Sequence, residues 1–222
     1  MFHTLVAKAL FVAKRSRPDI LPVTSVLSGR VKEPSVDDWA KARRLVKYLN
    51  GTKEKHLVID MQNFNSPTWF ADASYGVYSE FKWQSGGLLI SSKDSGGVIT
   101  AGSRKQQLNT RLPTEVELVA VDDFLSQILH MQHFLRAQGM SIKKSIINQD
   151  NQSTILLSEK GRSSLGKWTR HFALHYFYVT DVVTRGEVKI RYCPTQDIIG
   201  DYMTKPLQGV LFYKFRKQIL GM

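Results

Sequence analysis

Three short apolar segments separated by Gly- and Ser-rich turns give way, at Pro113, to one long helical period, and this change of rhythm restricts the fold most. Trp69 to Tyr78, Gly86 to Ser92 and Gly97 to Gln106 read as strands bounded by turn residues. From Pro113, the residues Leu118, Val121, Leu125, Ile128 and Leu129 keep an amphipathic helical period that stops at Gly139. A fourth strand is expected at Ser145 to Gln149, followed by a helix from Asn151 and another around Lys167 to Thr184. A fifth strand follows from Glu187 to Tyr192, and a further helix begins after Pro194. Three strands, helix, strand, helices, strand, helix is a mixed α/β order in one compact domain.

The chain before Gly51 is helical in texture. Leu5, Val6, Ala9, Leu10 and Ala13 recur at helical spacing until Pro18 resets the chain, and a second short apolar stretch runs to Gly29. Ser35 to Leu49 is the clearest helix, with Ser35 as N-cap, Asp37 and Asp38 in the first turn and Gly51 past the end. His56 to Asp60 reads as a short strand, and Val210 to Met222 as a basic C-terminal helix.

Charge narrows the partners. Lysine and arginine number 31 against 19 acids, a formal net charge of +12, which implies a polyanionic partner such as nucleic acid. No apolar run approaches the roughly 20 residues that span a bilayer, and Met1 to Ala13 lacks a signal peptide's basic start and cleavage site. Cys193 is the only cysteine, which excludes an intrachain disulfide and a Cys-rich zinc site and suggests a buried strand thiol in a reducing, intracellular setting.

The acids then need placing. Asp72 lies in the first strand, Glu115 and Glu117 open the long helix, Asp150 ends the fourth strand, and Asp201 lies in the region after Pro194. Element ends converge readily on one point, and several carboxylates brought together cannot all stay ionised without cations. All-oxygen ligands suit Mg²⁺ or Mn²⁺ rather than zinc. Two such ions about 4 Å apart serve in-line phosphoryl displacement. Acids near strand ends are common, so placement alone leaves an ordinary surface role open.

Phe70-Ala-Asp72, Thr114-Glu-Val-Glu-Leu-Val-Ala120, Gln149-Asp-Asn-Gln-Ser153 and Gly200-Asp-Tyr-Met-Thr-Lys-Pro-Leu207 resemble the ribonuclease H region of Ty1/copia-type retrotransposon Pol polyproteins. Ser103-Arg-Lys-Gln106, Thr169-Arg-His-Phe172 and Tyr192-Cys-Pro-Thr195 fit the same pattern. Arg17-Pro-Asp-Ile20 and Tyr48-Leu-Asn-Gly-Thr52 look like the segment that follows the polymerase palm in those polyproteins. The resemblance covers nearly the whole chain in the family's order. It implies a helical reverse-transcriptase remnant over 1–61, a ribonuclease H-like five-stranded mixed sheet flanked by helices over 62–207, and a basic helix over 208–222.

It further implies a site of Asp72, Glu117, Asp150 and Asp201 holding two Mg²⁺ or Mn²⁺ ions. The expected activity is cleavage of the RNA strand of RNA–DNA hybrids. Implied partners are the hybrid and the upstream reverse-transcriptase portion of the same polyprotein, in a cytoplasmic virus-like particle or the nucleus. The family's glutamate precedes Leu-x-Ala, which here is Glu117. Glu115 is two residues away, about 200° around a helix, and suits the helix dipole instead. Gly200 departs from the family's usual alanine, and Arg170-His-Phe172 from its Lys-His-Ile. Arg104, Lys105, Gln106, Asn151, Gln152, Lys167, Arg170 and His171 are the expected nucleic-acid contacts.

Other patterns are blander. Val121-Asp-Asp123 continues a helical period and is no polymerase hairpin. His171 and His175 have metal spacing but no obvious third ligand, so ordinary helix residues are the simpler reading. Trp69 reads as core, whereas Trp83 and Trp168 are candidates for substrate contact. A non-catalytic nucleic-acid-binding relic is the alternative function. An integrase or transposase is disfavoured because its glutamate comes last in chain order.

Overall fold

The structure, a computed structural model, describes residues 1–61, 64–75, 83–92, 96–108, 112–160 and 170–222. Five strands form one mixed sheet in the order β3-β2-β1-β4-β5. These are β1 (Thr68–Tyr75), β2 (Trp83–Ser92), β3 (Gly96–Lys105), β4 (Ser145–Gln149) and β5 (Val188–Tyr192). The β1–β2 and β2–β3 pairs are antiparallel, and the β1–β4 and β4–β5 pairs are parallel. The expected five-stranded mixed sheet with flanking helices is therefore present.

Successive side chains of a strand point to opposite faces, and here both faces are dry. Trp69, Ala71, Leu89 and Ile147 face one core with α4 (Pro113–Ala137) and α6 (Arg170–Thr184). Phe70, Leu88, Ile90 and Val98 face the other, with α1 (Phe2–Arg15), α2 (Leu21–Ser28), α3 (Val36–Gly51) and α8 (Gly209–Leu220). The second core joins Phe2, Val6, Leu27 and Leu45 to Phe215 and Ile219. The N-terminal helices and α8 thus form the layer that covers one sheet face. Burial on both faces explains why β1 is buried without alternation from Trp69 to Ser74.

Local chemistry starts α3 as expected. Ser35 Oγ accepts a hydrogen bond from the Asp38 amide (3.1 Å), and the Asp38 carboxylate accepts from the Ser35 amide (2.9 Å), which closes a capping box. Across the sheet, the Phe124 ring lies where Gly87 and Gly102 have no side chains; a Cβ on either would fall 2.5 or 2.4 Å from that ring. The Arg104 guanidinium lies 4.6 Å from the centroid of the same ring. This contact fixes the register of α4 over β2 and β3. Glu117, about two helical turns earlier, is thereby directed at the sheet.

The structure corrects two expected elements. His56 to Asp60 forms no strand: the Val58 amide donates to the Leu220 carbonyl (2.8 Å) and its carbonyl accepts from the Gly97 amide (2.7 Å). It is extended because it bridges the end of α8 and the start of β3. The helix expected after Pro194 is a 3-10 turn at Thr195–Asp197 followed by the single turn α7 (Asp201–Thr204). Pro206 explains the stop, since Lys205 before it takes an extended conformation (φ −122°, ψ 145°). The helix after Asn151 is α5 (Gln152–Lys160).

Candidate active site

Asp72 sits mid-way along β1, across from Gly86 on β2. Glu117 reaches it from the first turns of α4, and Asp150 follows β4, the parallel neighbour of β1. Carboxylate oxygens of these three residues lie within 4.8 Å of one another. Among the described residues they are the one group of three or more metal-ligating side chains so placed. Glu115 is outside it.

Each carboxylate is held. Glu117 Oε2 accepts from the Ala73 amide and from Gln149 Nε2, both at 3.1 Å. Gln149 is fully buried, and its Oε1 accepts from the Asp150 (2.7 Å) and Asn151 (3.1 Å) amides, so one side chain ties Glu117 to the turn carrying Asp150. Thr195 Oγ1 donates to Asp150 Oδ2 at 3.0 Å. Thr204 Oγ1 donates to Asp72 Oδ2.

Asp201 opens α7 beside this group and is paired through its carboxylate to Lys205, one turn on. The Lys205 ammonium also lies 3.8 Å from Asp72 Oδ2. Gly200 allows α7 this close, because a Cβ there would stand 2.8 Å from Asp72 Cβ.

The electrostatics follow from burial. Asp72 is 1% exposed. Desolvation, reinforced by the Asp201 and Asp150 charges, pushes its carboxyl up to about 8 against the pull of Lys205 and Thr204. Burial, then Asp72 and Asp150, also push Glu117 well above the carboxylate range. Lys205 is held above its ordinary value because Asp72, Asp201 and Asp150 outweigh its own desolvation. Acids confined in this way take up either protons or cations. An all-oxygen set of three carboxylates with a fourth alongside fits hard divalent ions such as Mg²⁺ or Mn²⁺.

The expected nucleic-acid contacts divide. Arg104 and Lys105 are exposed on β3, whose Ser103 lies across from Gly86 and so one strand further from Asp72. Gln106 is buried, and its amide nitrogen donates to Ser85 Oγ (2.9 Å) and the Val116 carbonyl (3.0 Å). Asn151 Oδ1 accepts from the Thr154 amide (3.1 Å) at the start of α5, and Gln152 beside it is exposed. Arg170 and His171 stand in the first turn of α6, and Lys167 and Trp168 lie outside the described residues.

Trp69 is buried as expected, and Trp83 packs on Tyr75 with ring centroids 4.6 Å apart. Asp122 and Asp123 are helical; the first pairs with His175 and the second accepts from Ser85 Oγ. Sequence reasoning missed Gln149, Thr204 and Lys205. The signal for Lys205 was its place four residues after Asp201, on the same side of a helical turn.

No family model matches the chain. It is similar to the retrovirus-related Pol polyprotein from transposon TNT 1-94 of Nicotiana tabacum, 24% identical over 223 residues, covering 100% of this chain and 16% of that protein. It is also similar to the Pol polyprotein from transposon RE2 of Arabidopsis thaliana (25% identical, covering 92% of this chain and 14% of that protein). The transposon Ty1-NL2 Gag-Pol polyprotein of Saccharomyces cerevisiae is 26% identical, with 91% of this chain and 12% of that protein covered. These relatives are Ty1/copia-type Pol polyproteins of plant and yeast transposons, as the motifs implied, and the chain spans 16% or less of their length. Among solved structures it is similar to LC11-RNase H1 from compost (TM-score 0.45, 10% identity, 63% of this chain and 92% of that one). The PFV RNase H domain gives a TM-score of 0.44 at 12% identity, covering 70% of this chain and 94% of that one. No described helix is long and apolar enough to cross a membrane.

Proposed function

We propose that this chain is a metal-dependent ribonuclease H that hydrolyses the RNA strand of RNA–DNA hybrids during retrotransposon reverse transcription. The observation that carries the reading is the convergence of Asp72, Glu117 and Asp150 from a strand, a helix and a strand end. Similarity to Pol polyproteins supports it, and the polymerase portion of such a polyprotein would be a working partner.

Asp72, Glu117, Asp150 and Asp201 would hold two Mg²⁺ or Mn²⁺ ions. When bound, such ions supply the charge and Lewis acidity for in-line displacement at a phosphate. Gln149 keeps Glu117 and the Asp150 turn in a fixed relation, and Thr204 orients Asp72. Lys205 pairs with Asp201 and stands 3.8 Å from Asp72 Oδ2, so it offsets part of the charge of both. Pro194 to Gly200 holds no histidine, so the departing 3′ oxygen takes its proton from water. Arg104, Lys105, Asn151, Gln152, Lys167, Arg170 and His171 would contact the hybrid, recognised by shape and 2′-hydroxyls rather than sequence.

The test is cleavage of an end-labelled RNA–DNA hybrid in Mg²⁺ or Mn²⁺, with Asp150→Asn as control. Loss of the RNA strand alone, with no cutting by the variant, is expected. Salt-sensitive binding of the hybrid without any cutting would instead identify a binding relic.

A further inference from the structure

We infer that the buried cluster of Arg17, Asp19 and Tyr48 is a positioning device for Asp201, acting through Tyr202, so that the N-terminal helices are a working part of the nuclease site. This rests on the proposed function insofar as Asp201 is taken as a ligand.

The two motifs that the site itself does not use, Arg17-Pro-Asp-Ile20 and Tyr48-Leu-Asn-Gly-Thr52, meet in space. Arg17 Nε and Nη2 donate to the two carboxylate oxygens of Asp19 at 2.9 and 2.8 Å. The same guanidinium donates to the Thr52 carbonyl (2.9 Å) and Thr52 Oγ1 (2.8 Å). Tyr48 Oη donates to Asp19 Oδ2 at 2.6 Å, and the Asp19 side chain is 0% exposed. A bidentate, multiply bonded pair of this kind is among the most geometrically restrictive that side chains make.

The Asp19 backbone carbonyl is the link. Tyr202 Oη donates to the Asp19 carbonyl at 3.0 Å. Its ring stacks on Phe212 of α8 (centroids 5.5 Å, planes 23° apart), and Phe212 in turn meets Tyr48 edge-on at 6.2 Å. Arg216 lies over Phe212, 5.4 Å from its centroid. Burial, then Asp19, pushes the Tyr48 phenol above its ordinary value, and burial does the same for Tyr202, so both stay protonated donors.

What these contacts grip is short. A four-residue turn has no stability of its own, since isolated helices need roughly 12–15 residues, so α7 is placed only by what holds it. On its inner side Ser74 Oγ donates to the Thr204 carbonyl (2.8 Å) and Ser103 Oγ to that of Met203 (2.6 Å). Tyr202, one residue and about 100° on from Asp201, holds the outer side. Asp201 is therefore suspended between the sheet and the N-terminal cluster, and losing the outer hold lets the turn rotate.

Tyr202→Phe and Tyr48→Phe each remove one hydroxyl and no shape; Ser35→Ala, at a distant helix cap, serves as a purely structural control. In the metal-free full-length chain, Tyr202→Phe is expected to speed amide hydrogen exchange at 201–205. Mn²⁺ affinity, by calorimetric titration, should weaken about three- to ten-fold in either Tyr variant, the scale of one hydrogen bond. kcat at limiting metal should fall with KM for the hybrid unchanged, and excess Mn²⁺ should restore it. If both variants merely lower Tm, as Ser35→Ala does, with exchange at 201–205 and Mn²⁺ affinity unchanged, the inference is overturned and the proposed function is not. A wild type that binds Mn²⁺ without cutting overturns the proposed function alone. One that binds no Mn²⁺ overturns both.

Discussion

In the metal-free protein, Asp72→Asn should raise stability at neutral pH. The carboxyl of Asp72 titrates at about 8 in the fold, against an ordinary value of 3.8, chiefly because burial disfavours its charged form. The folded state thus binds more protons than the unfolded one between those limits, so stability is greatest in acid and falls as pH rises toward 8. Each pH unit of that interval is worth about 1.4 kcal/mol, which accumulates to about 4 kcal/mol by pH 7. An amide keeps the Thr204 hydrogen bond and needs no proton to stay neutral, so it escapes this cost; burying its less well matched polar atoms leaves a net gain of about 2–3 kcal/mol. At roughly 2–4 °C per kcal/mol for a chain of this size, Tm should rise by about 5–10 °C. The assay is thermal unfolding in EDTA from pH 5 to 8, for wild type and variant. Wild-type Tm should decline across the range, the variant's should be flatter, and the gap should widen with pH. Adding Mn²⁺ should raise the wild-type curve alone. A variant less stable than wild type at pH 7.5 in EDTA, or two curves of equal slope, would refute the reasoning.

Glu117→Gln should abolish cutting, whereas Glu115→Gln, outside the cluster, should change the rate by less than about three-fold; a gel assay on the hybrid decides between them. Gly200→Ala puts a methyl 2.8 Å from Asp72 Cβ; displacement of α7 should weaken Mn²⁺ binding and cost about 1–3 kcal/mol by denaturant unfolding. Gly87→Ala, aimed at the Phe124 ring 2.5 Å away, should lower stability by a similar amount and, by shifting α4, weaken Mn²⁺ binding through Glu117. Hybrid affinity should fall steeply between about 50 and 200 mM salt, as phosphate neutralisation requires; a flat binding curve by fluorescence anisotropy would count against an electrostatic interface.

Much of this architecture is legible in the sequence because local chemistry is self-sufficient there. Ser35 and Asp38 carry their own helix start, Pro113 opens α4, and the apolar run into Asp150 already describes a strand that ends in an acid. Rotation about a helix axis says only that Glu115 and Glu117 cannot both face one site; the resemblance, through Leu118-Val-Ala120, points to Glu117. Long-range partners leave no such trace. His56 to Asp60 has strand composition, yet its amide and carbonyl partners at Leu220 and Gly97 decide otherwise. Nothing around Gln106 in the sequence signals that its amide meets Ser85 and the Val116 carbonyl. The pairing of the Arg17 and Tyr48 motifs spans more than thirty residues, and nothing in either alone announces it.

The two edges of the sheet are protected in different ways. β5 carries the exposed Lys189 and Arg191, the second bonded back to Asn148 Oδ1 of β4 at 3.0 Å, charges that discourage another strand from adding there. β3 has no comparable guard over its middle; instead Lys14 Nζ donates to the Ala101 carbonyl at 3.0 Å and Ser25 Oγ to that of Ser103 at 2.7 Å. Shorter versions of this chain that begin at the sheet would keep α8 over this face but leave the Ala101 and Ser103 carbonyls of that ten-residue strand without Lys14 and Ser25, and the core that Val98 shares with Phe2, Val6 and Leu27 part uncovered. Their expected fate is pairing with one another into insoluble assemblies, so a soluble preparation has to keep the helices that shield β3.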